Sequence, residues 1–182
     1  MSTAVSRPRS ETARLIVVMG VAGCGKSTVG SALAAALGGT FLDGDAYHPQ
    51  SNIEKMSRGE PLTDDDRWPW LKRLAKALVE HEGTVIGGCS ALKRSYRECI
   101  TEAAGQPVLF VHLAGSKALI AERMNARSGH FMPPSLLDSQ FDTLEAPGSD
   151  ENALTVNIDG SVRHIVDEIT AQIGAGRVNP PA

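Results

Sequence analysis

Leu15-Ile16-Val17-Val18-Met19-Gly20-Val21-Ala22-Gly23-Cys24-Gly25-Lys26-Ser27 is an apolar strand-like run followed without a gap by G-x-x-x-x-G-K-S, a phosphate-loop pattern in the strand-to-helix position that it requires. The glycines let successive backbone N–H groups turn inward around phosphate oxygens, and the following helix adds the positive end of its dipole at the same spot. Lys26 brings a mobile positive charge to the β- and γ-phosphates, and the Ser27 hydroxyl suits a place in the shell of Mg2+. Strand, loop, lysine, hydroxyl and helix agree, so the chain reads as a user of a nucleoside triphosphate.

Working outward, short β-rich runs alternate with helical patterns, which predicts an α/β domain on a parallel sheet. The helix from Lys26 carries Val29, Leu33, Ala36 and Leu37 on one expected face, and Gly38-Gly39 ends it. A second strand over Thr40–Leu42 delivers Asp43 and Asp45 to its carboxyl end, the edge where open α/β sheets bind ligands. Ser51-x-x-Glu54 reads as a capping box opening a helix, and Thr63 as the cap of another, with Leu71, Leu74, Ala75 and Leu78 recurring at helical spacing. Strands are expected at Thr84–Ile86, Val108–Leu113 and Ala153–Ile158, with helices over Lys93–Ala104, Ser116–Arg127 and Val162–Ile173. Pro133, Pro134 and Pro147 mark 128–150 as a loop-plus-helix excursion. The expected organisation is one domain over 14–174 between a disordered tail at 1–13 and a flexible one at 175–182.

At 182 residues with a formal charge of −3, the chain lacks the basic footprint of a nucleic-acid binder, so a small molecule is the expected partner. Aromatics make up 4% without basic interleaving, which argues the same way. Charged residues interrupt every apolar run well short of the roughly 20 residues needed to span a bilayer, and 1–12 lack a secretory apolar region. The reading is a cytoplasmic protein. Cys24, Cys89 and Cys99 have no zinc-site spacing and suit reduced thiols. Cys24, beside a helix N-terminus, is a candidate for redox sensitivity.

Other clusters face the same sheet edge. Asp43-Gly44-Asp45 supplies two carboxylates for the two tasks of phosphoryl transfer, holding the metal shell and orienting or deprotonating an acceptor hydroxyl. Spacing alone leaves open which does which. Arg123 and Arg127, four apart, can point one way and stabilise charge on a transferring phosphoryl group. Lys93, Arg94 and Arg97 form a cationic patch suited to an anionic acceptor, whereas Asp64 and Asp65 read as helix-start acids favoured by the dipole. Trp68 and Trp70 are expected to pack.

Five blocks then resemble the gluconokinase family: Phe41-Leu42-Asp43-Gly44-Asp45-x-x-His48-Pro49; Asn52-Ile53-x-Lys55-Met56; Gly59-x-Pro61-Leu62-x-Asp64-x-Asp66-Arg67-x-Pro69-Trp70-Leu71; Cys89-Ser90-Ala91-Leu92-Lys93-Arg94-x-Tyr96-Arg97; and His130-Phe131-Met132-Pro133 with Leu136-Leu137-x-Ser139-Gln140-Phe141. Tyr47 departs from an expected Leu and Asn157 from a common Asp, both away from the chemistry. The blocks separate the chain from shikimate-kinase-like and nucleotide kinases, and no N-K-x-D guanine motif of a GTPase occurs.

The resemblance implies ATP- and Mg2+-dependent phosphorylation of D-gluconate at its 6-hydroxyl. It also implies a three-layer, nucleoside-monophosphate-kinase-like fold on a five-stranded parallel sheet, a substrate segment near 45–82, a lid near 125–150, and a homodimer. By the same likeness Gly20, Gly23, Cys24, Gly25, Lys26, Ser27 and Thr28 hold the phosphates, Arg123 lies against adenine and Arg127 near the phosphates. Asp45 takes the acceptor hydroxyl and Asp43 supports the metal through water. His48, Arg58, Ser90, Lys93, Arg94 and His130 are the expected contacts to the sugar acid, with Lys93 or Arg94 nearest its carboxylate.

Overall fold

The computed structural model describes residues 15–126 and 134–176. The expected tail at 1–13, residues 177–182, Arg127 and His130 lie outside the described residues.

The sheet is built from β1 (Leu15–Met19), β2 (Thr40–Asp43), β3 (Val85–Gly88), β4 (Val108–Ala114) and β5 (Ala153–Asn157), in the order β2-β3-β1-β4-β5. All four pairings are parallel, with Val17 opposite Gly87 on one side and Phe110 on the other. The helices are α1 (Lys26–Leu37), α2 (Gln50–Ser57), α3 (Asp64–Glu80), α4 (Arg94–Ala104), α5 (Lys117–Ala126), α6 (Pro134–Thr143) and α7 (Val162–Gly174). A central parallel strand is covered on both faces and therefore reads as a continuous apolar run. In β1 the side chains divide by parity: Ile16 and Val18 join Val29, Leu33, Ile120, Leu137 and Ile165, while Leu15, Val17 and Met19 join Trp70, Leu71, Leu74, Tyr96 and Ile100. These two clusters are the faces of a three-layer α/β sandwich. Because β1 has β3 on one side and β4 on the other, the chain leaves it at the point where strand order reverses, the position at which open α/β sheets open a ligand crevice.

Three local expectations are corrected. The buried stripe of α1 is Val29, Gly30, Leu33 and Ala34, with Ala36 exposed; the Phe41 ring lies where a Cβ on Gly30 would stand, so the glycine face of the helix is the one that packs. Ser51 is not a cap: α2 starts after Pro49, whose carbonyl accepts from the N–H groups of Asn52 and Ile53 at 3.0 and 3.2 Å. Strand β3 runs on through Gly87 and Gly88, because Leu78 and Phe41 fill the space their side chains would need. By contrast Thr63 does cap α3, in a reciprocal box with Asp66: its hydroxyl accepts from Asp66 N–H at 3.2 Å and its own N–H donates to the carboxylate at 2.8 Å.

Candidate active site

The phosphate loop leaves the end of β1 and turns into α1 without a side-chain cap, so amide groups at that helix start point into the loop. Lys26 Nζ donates to the carbonyls of Gly20 and Val21, both at 3.1 Å, which folds the ammonium over the loop. Ser27 and Thr28 are exposed on the first turn. Gly23 has φ +79°, and a Cβ there would stand 2.4 Å from Met124 Cγ of α5; only glycine lets helix and loop approach so closely. Cys24 is 1% exposed within the first apolar cluster, so its thiol is shielded from solution oxidants.

On one side of the loop lies a cavity of about 270 Å3 lined by Gly25, Thr28, Arg123, Gly160, Val162 and neighbours. Arg123 is fixed there by donating from Nη2 to Ile158 O at 2.6 Å. A largely apolar slot with one planar cation at its wall, continuous with a phosphate-binding loop, is suited to a purine ring.

On the other side, β2 ends at Asp43, whose Oδ1 accepts from Asp45 N–H at 3.0 Å and caps a 3-10 turn over Gly44–Tyr47. That turn presses on β3: a Cβ on Gly44 would meet Gly88 O at 2.2 Å. Asp45 is exposed at the turn. Behind it, Trp70 donates from Nε1 to Gly44 O at 2.8 Å and stacks on His48 at a centroid distance of 4.0 Å. Trp70 is thus a packing residue that also braces the turn. Asn52, 2% exposed, donates from Nδ2 to Asp66 O at 2.9 Å and lies 3.2 Å from His48 Nδ1. Burial holds the His48 imidazole below its ordinary pKa, against the opposing pull of Asp45. A neutral ring accepting at Nδ1 carries its proton on Nε2, as a donor. Buried Cys89, against which the Gly44 turn packs, is pushed up to about 12 chiefly by desolvation.

The loop after β3 forms the third wall. Cys89 N–H bonds Val18 O at 3.1 Å, and Ser90 O accepts from Gly20 N–H at 3.2 Å, seating this loop directly on the phosphate loop. Lys93 Nζ meets the Asp64 carboxylate at 3.0 and 3.1 Å, and Tyr96 donates its hydroxyl to the same group at 2.5 Å. These hydrogen bonds, Tyr96 first, hold Asp64 below the usual carboxylate range. Arg94 is bound by Asp150 at 2.6 Å and Glu98 at 3.1 Å, and Arg58 by Glu60 at 2.8 Å near the exposed end of α2.

Arg97 overturns the expectation of a three-residue cationic patch. It is 2% exposed, paired through Nε and Nη2 with Glu151 at 2.6 and 2.9 Å, and donates from Nη1 to Ala91 O at 3.0 Å and Leu92 O at 3.3 Å. Ala91 has φ +43° and is the one non-glycine with positive φ among the described residues, a conformation that costs free energy unless its surroundings impose it. Arg97 therefore clamps the strained turn that carries Ser90 and Lys93. The spacing of Arg97, Ile100 and Ala104 on one buried helix face was the available signal. Asn52, a helix-surface amide by local pattern, was marked only by its place in the second family block, and Glu151, a turn acid, carried no signal.

The AAA domain family matches residues 15–147. The chain is 51% identical over 148 residues to a gluconokinase of Gluconobacter oxydans strain 621H, covering 79% of this chain and 82% of that protein. It is 45% identical over 168 residues to the thermoresistant gluconokinase of Escherichia coli strain K12, covering 90% and 95%. The crystal structure of a gluconokinase from Sinorhizobium meliloti 1021 superposes with a TM-score of 0.83 at 48% identity, over 92% of this chain and 94% of that one. With a phosphate loop, a carboxylate-bearing turn and a third loop meeting at one sheet edge, and with this identity over most of its length, the chain belongs to the gluconokinase family.

Proposed function

We propose that the protein transfers the γ-phosphoryl group of ATP to the 6-hydroxyl of D-gluconate, giving 6-phospho-D-gluconate and ADP. The observation that carries the reading is the convergence of Lys26, Asp45 and the Ser90 loop, from three different strand ends, at a phosphate loop in a chain of this family. The adenine is assigned to the cavity walled by Arg123, and the phosphates to the loop amides with Lys26, Ser27 and Thr28, Gly20, Gly23, Cys24 and Gly25 shaping the turn. Asp45 is assigned to the acceptor hydroxyl: it aligns O6 and takes its proton as the P–O6 bond forms and the bond to the leaving β-phosphate oxygen breaks.

His48, as a neutral donor, and Ser90, Lys93, Arg94 and Arg58 are assigned to the sugar acid; the ammonium of Lys93, already oriented by Asp64, is the better placed for its carboxylate. Arg127 and His130 keep their expected roles near the phosphates and the sugar acid. Ser27 and Asp43 offer two hard oxygens for Mg2+, and no three His, Cys, Asp or Glu cluster into a cation site among the described residues; this suits a metal that keeps phosphates and water as its other ligands. A metal held by Ser27 and, through water, by Asp43 would supply positive charge to offset that of the phosphates. No helix among the described residues is long and apolar enough to cross a membrane; a cytoplasmic location and the homodimer that the family resemblance implies belong to the same reading.

Phosphorus NMR of the product, with carbon assignment, tests the reaction: a phosphomonoester on C6 of gluconate is expected, and a phosphate on another carbon or on no sugar would refute it.

A further inference from the structure

Between the two substrate loops lies α6, and its C-terminal half and the residues just after it bond to both of them. The N–H of Ala22, within the phosphate loop, donates to Gln140 Oε1 at 2.6 Å across 118 residues of sequence. Just past the helix, Glu145 N–H donates to Leu92 O at 2.8 Å, and its carboxylate accepts from Arg94 N–H at 2.8 Å, closing on the loop that carries Ser90 and Lys93. The helix does not need Gln140 to dock. Leu137 is 5% exposed in the cluster that includes Val21 and Cys24, Phe141 packs against the same cluster, and Lys117 of α5 pairs with Asp138. The polar end of Gln140 is spent on a backbone amide of the loop instead.

We propose that Gln140 is a positioning residue for phosphoryl transfer: its amide oxygen fixes the Ala22 peptide, and with it the phosphate loop, at a set distance from the acceptor loop held by Glu145. A loop already pinned loses less freedom when nucleotide arrives, and a γ-phosphate referenced to the acceptor side starts nearer the in-line geometry, where small misplacements are costly in rate. The role in transfer rests on the kinase reaction proposed above; the effect on the loop does not.

The test uses Gln140→Met, which keeps length without the acceptor, and Gln140→Asn, which keeps the amide but falls one methylene short. For each, Ala22 amide exchange is read by NMR, MgADP affinity by calorimetry, and kcat and both KM values by steady-state kinetics. In both variants Ala22 should exchange about tenfold faster and MgADP should bind about three- to tenfold more weakly, the span expected for one hydrogen bond. The kcat should fall, with the gluconate KM within about twofold of wild type and Tm little changed. MgADP affinity at the wild-type level despite fast Ala22 exchange would overturn the proposal. So would a lowered Tm with both KM values rising together, which would assign Gln140 to helix docking. If wild type shows no gluconate turnover, the kinase reading falls, while amide exchange and MgADP affinity still decide the pinning.

Discussion

Replacing Glu151 by Leu strands the Arg97 guanidinium in the protein interior. The pair is 2% and 11% exposed and is joined by two short bonds, so its loss is that of a buried pair broken on one side, about 3–5 kcal/mol, and not the 1 kcal/mol or less of an exposed pair. For a chain of 182 residues, each kcal/mol moves Tm by about 2–4 °C, which puts the expected fall on the order of 10 °C. Urea unfolding followed by circular dichroism gives the free energy directly, with the midpoint dropping and the slope unchanged. The double variant Arg97→Met with Glu151→Leu removes both charges and should recover most of the loss. It nevertheless lacks the bonds to Ala91 O and Leu92 O, so its gluconate KM should rise above wild type even as its stability returns. A cost below about 1 kcal/mol for Glu151→Leu would refute the clamp, as would a double variant no more stable than the single one.

Three further outcomes follow from the site. Asp45→Asn should lower kcat by at least about 10²-fold, the low end for a positioned general base; a near-wild-type kcat would remove Asp45 from that role. Arg94→Ala should raise the KM for gluconate far more than that for ATP, and an unchanged gluconate KM would leave Arg94 to its ion pairs with Asp150 and Glu98. His112 is buried on β4 with Nδ1 unpartnered, and burial, then the charge of Arg97, lowers its pKa. The unfolded chain therefore binds more protons there, so stability is complete above the ordinary value near 6.5 and falls as pH drops toward the folded value. His48 shifts the same way. Thermal unfolding between pH 7.5 and 5 should show Tm declining below about pH 6.5, with a shallower slope in His112→Phe; an identical slope would discharge His112.

The parts of this fold that local pattern controls were readable. The apolar run of β1, the glycines of the phosphate loop and the Thr63 cap each follow from a few neighbouring residues, and the structure has them where expected. What was not readable depends on partners distant in the chain. Ala36 matched a helical spacing, but Gly30 and Ala34 are buried in its place, with the Phe41 ring lying against Gly30. Gly87 and Gly88 looked like a strand ending because glycine is disfavoured in strands, whereas Phe41 and Leu78 need the space. The cationic patch failed for the same reason: Asp150 and Glu151, which bind Arg94 and Arg97, lie more than fifty residues away. Asp45 and Lys26 were legible as members of one edge, but the bracing of that edge by Trp70, Asn52 and the Ser90 to Gly20 bond was not.

The most direct test of the central claim is ADP formation by the purified protein with MgATP, comparing D-gluconate with shikimate, nucleoside monophosphates and water alone. Turnover that depends strongly on gluconate and is near background with the other acceptors is the predicted result. Intact MgATP binding with no response to gluconate, or faster turnover with another acceptor, would contradict it.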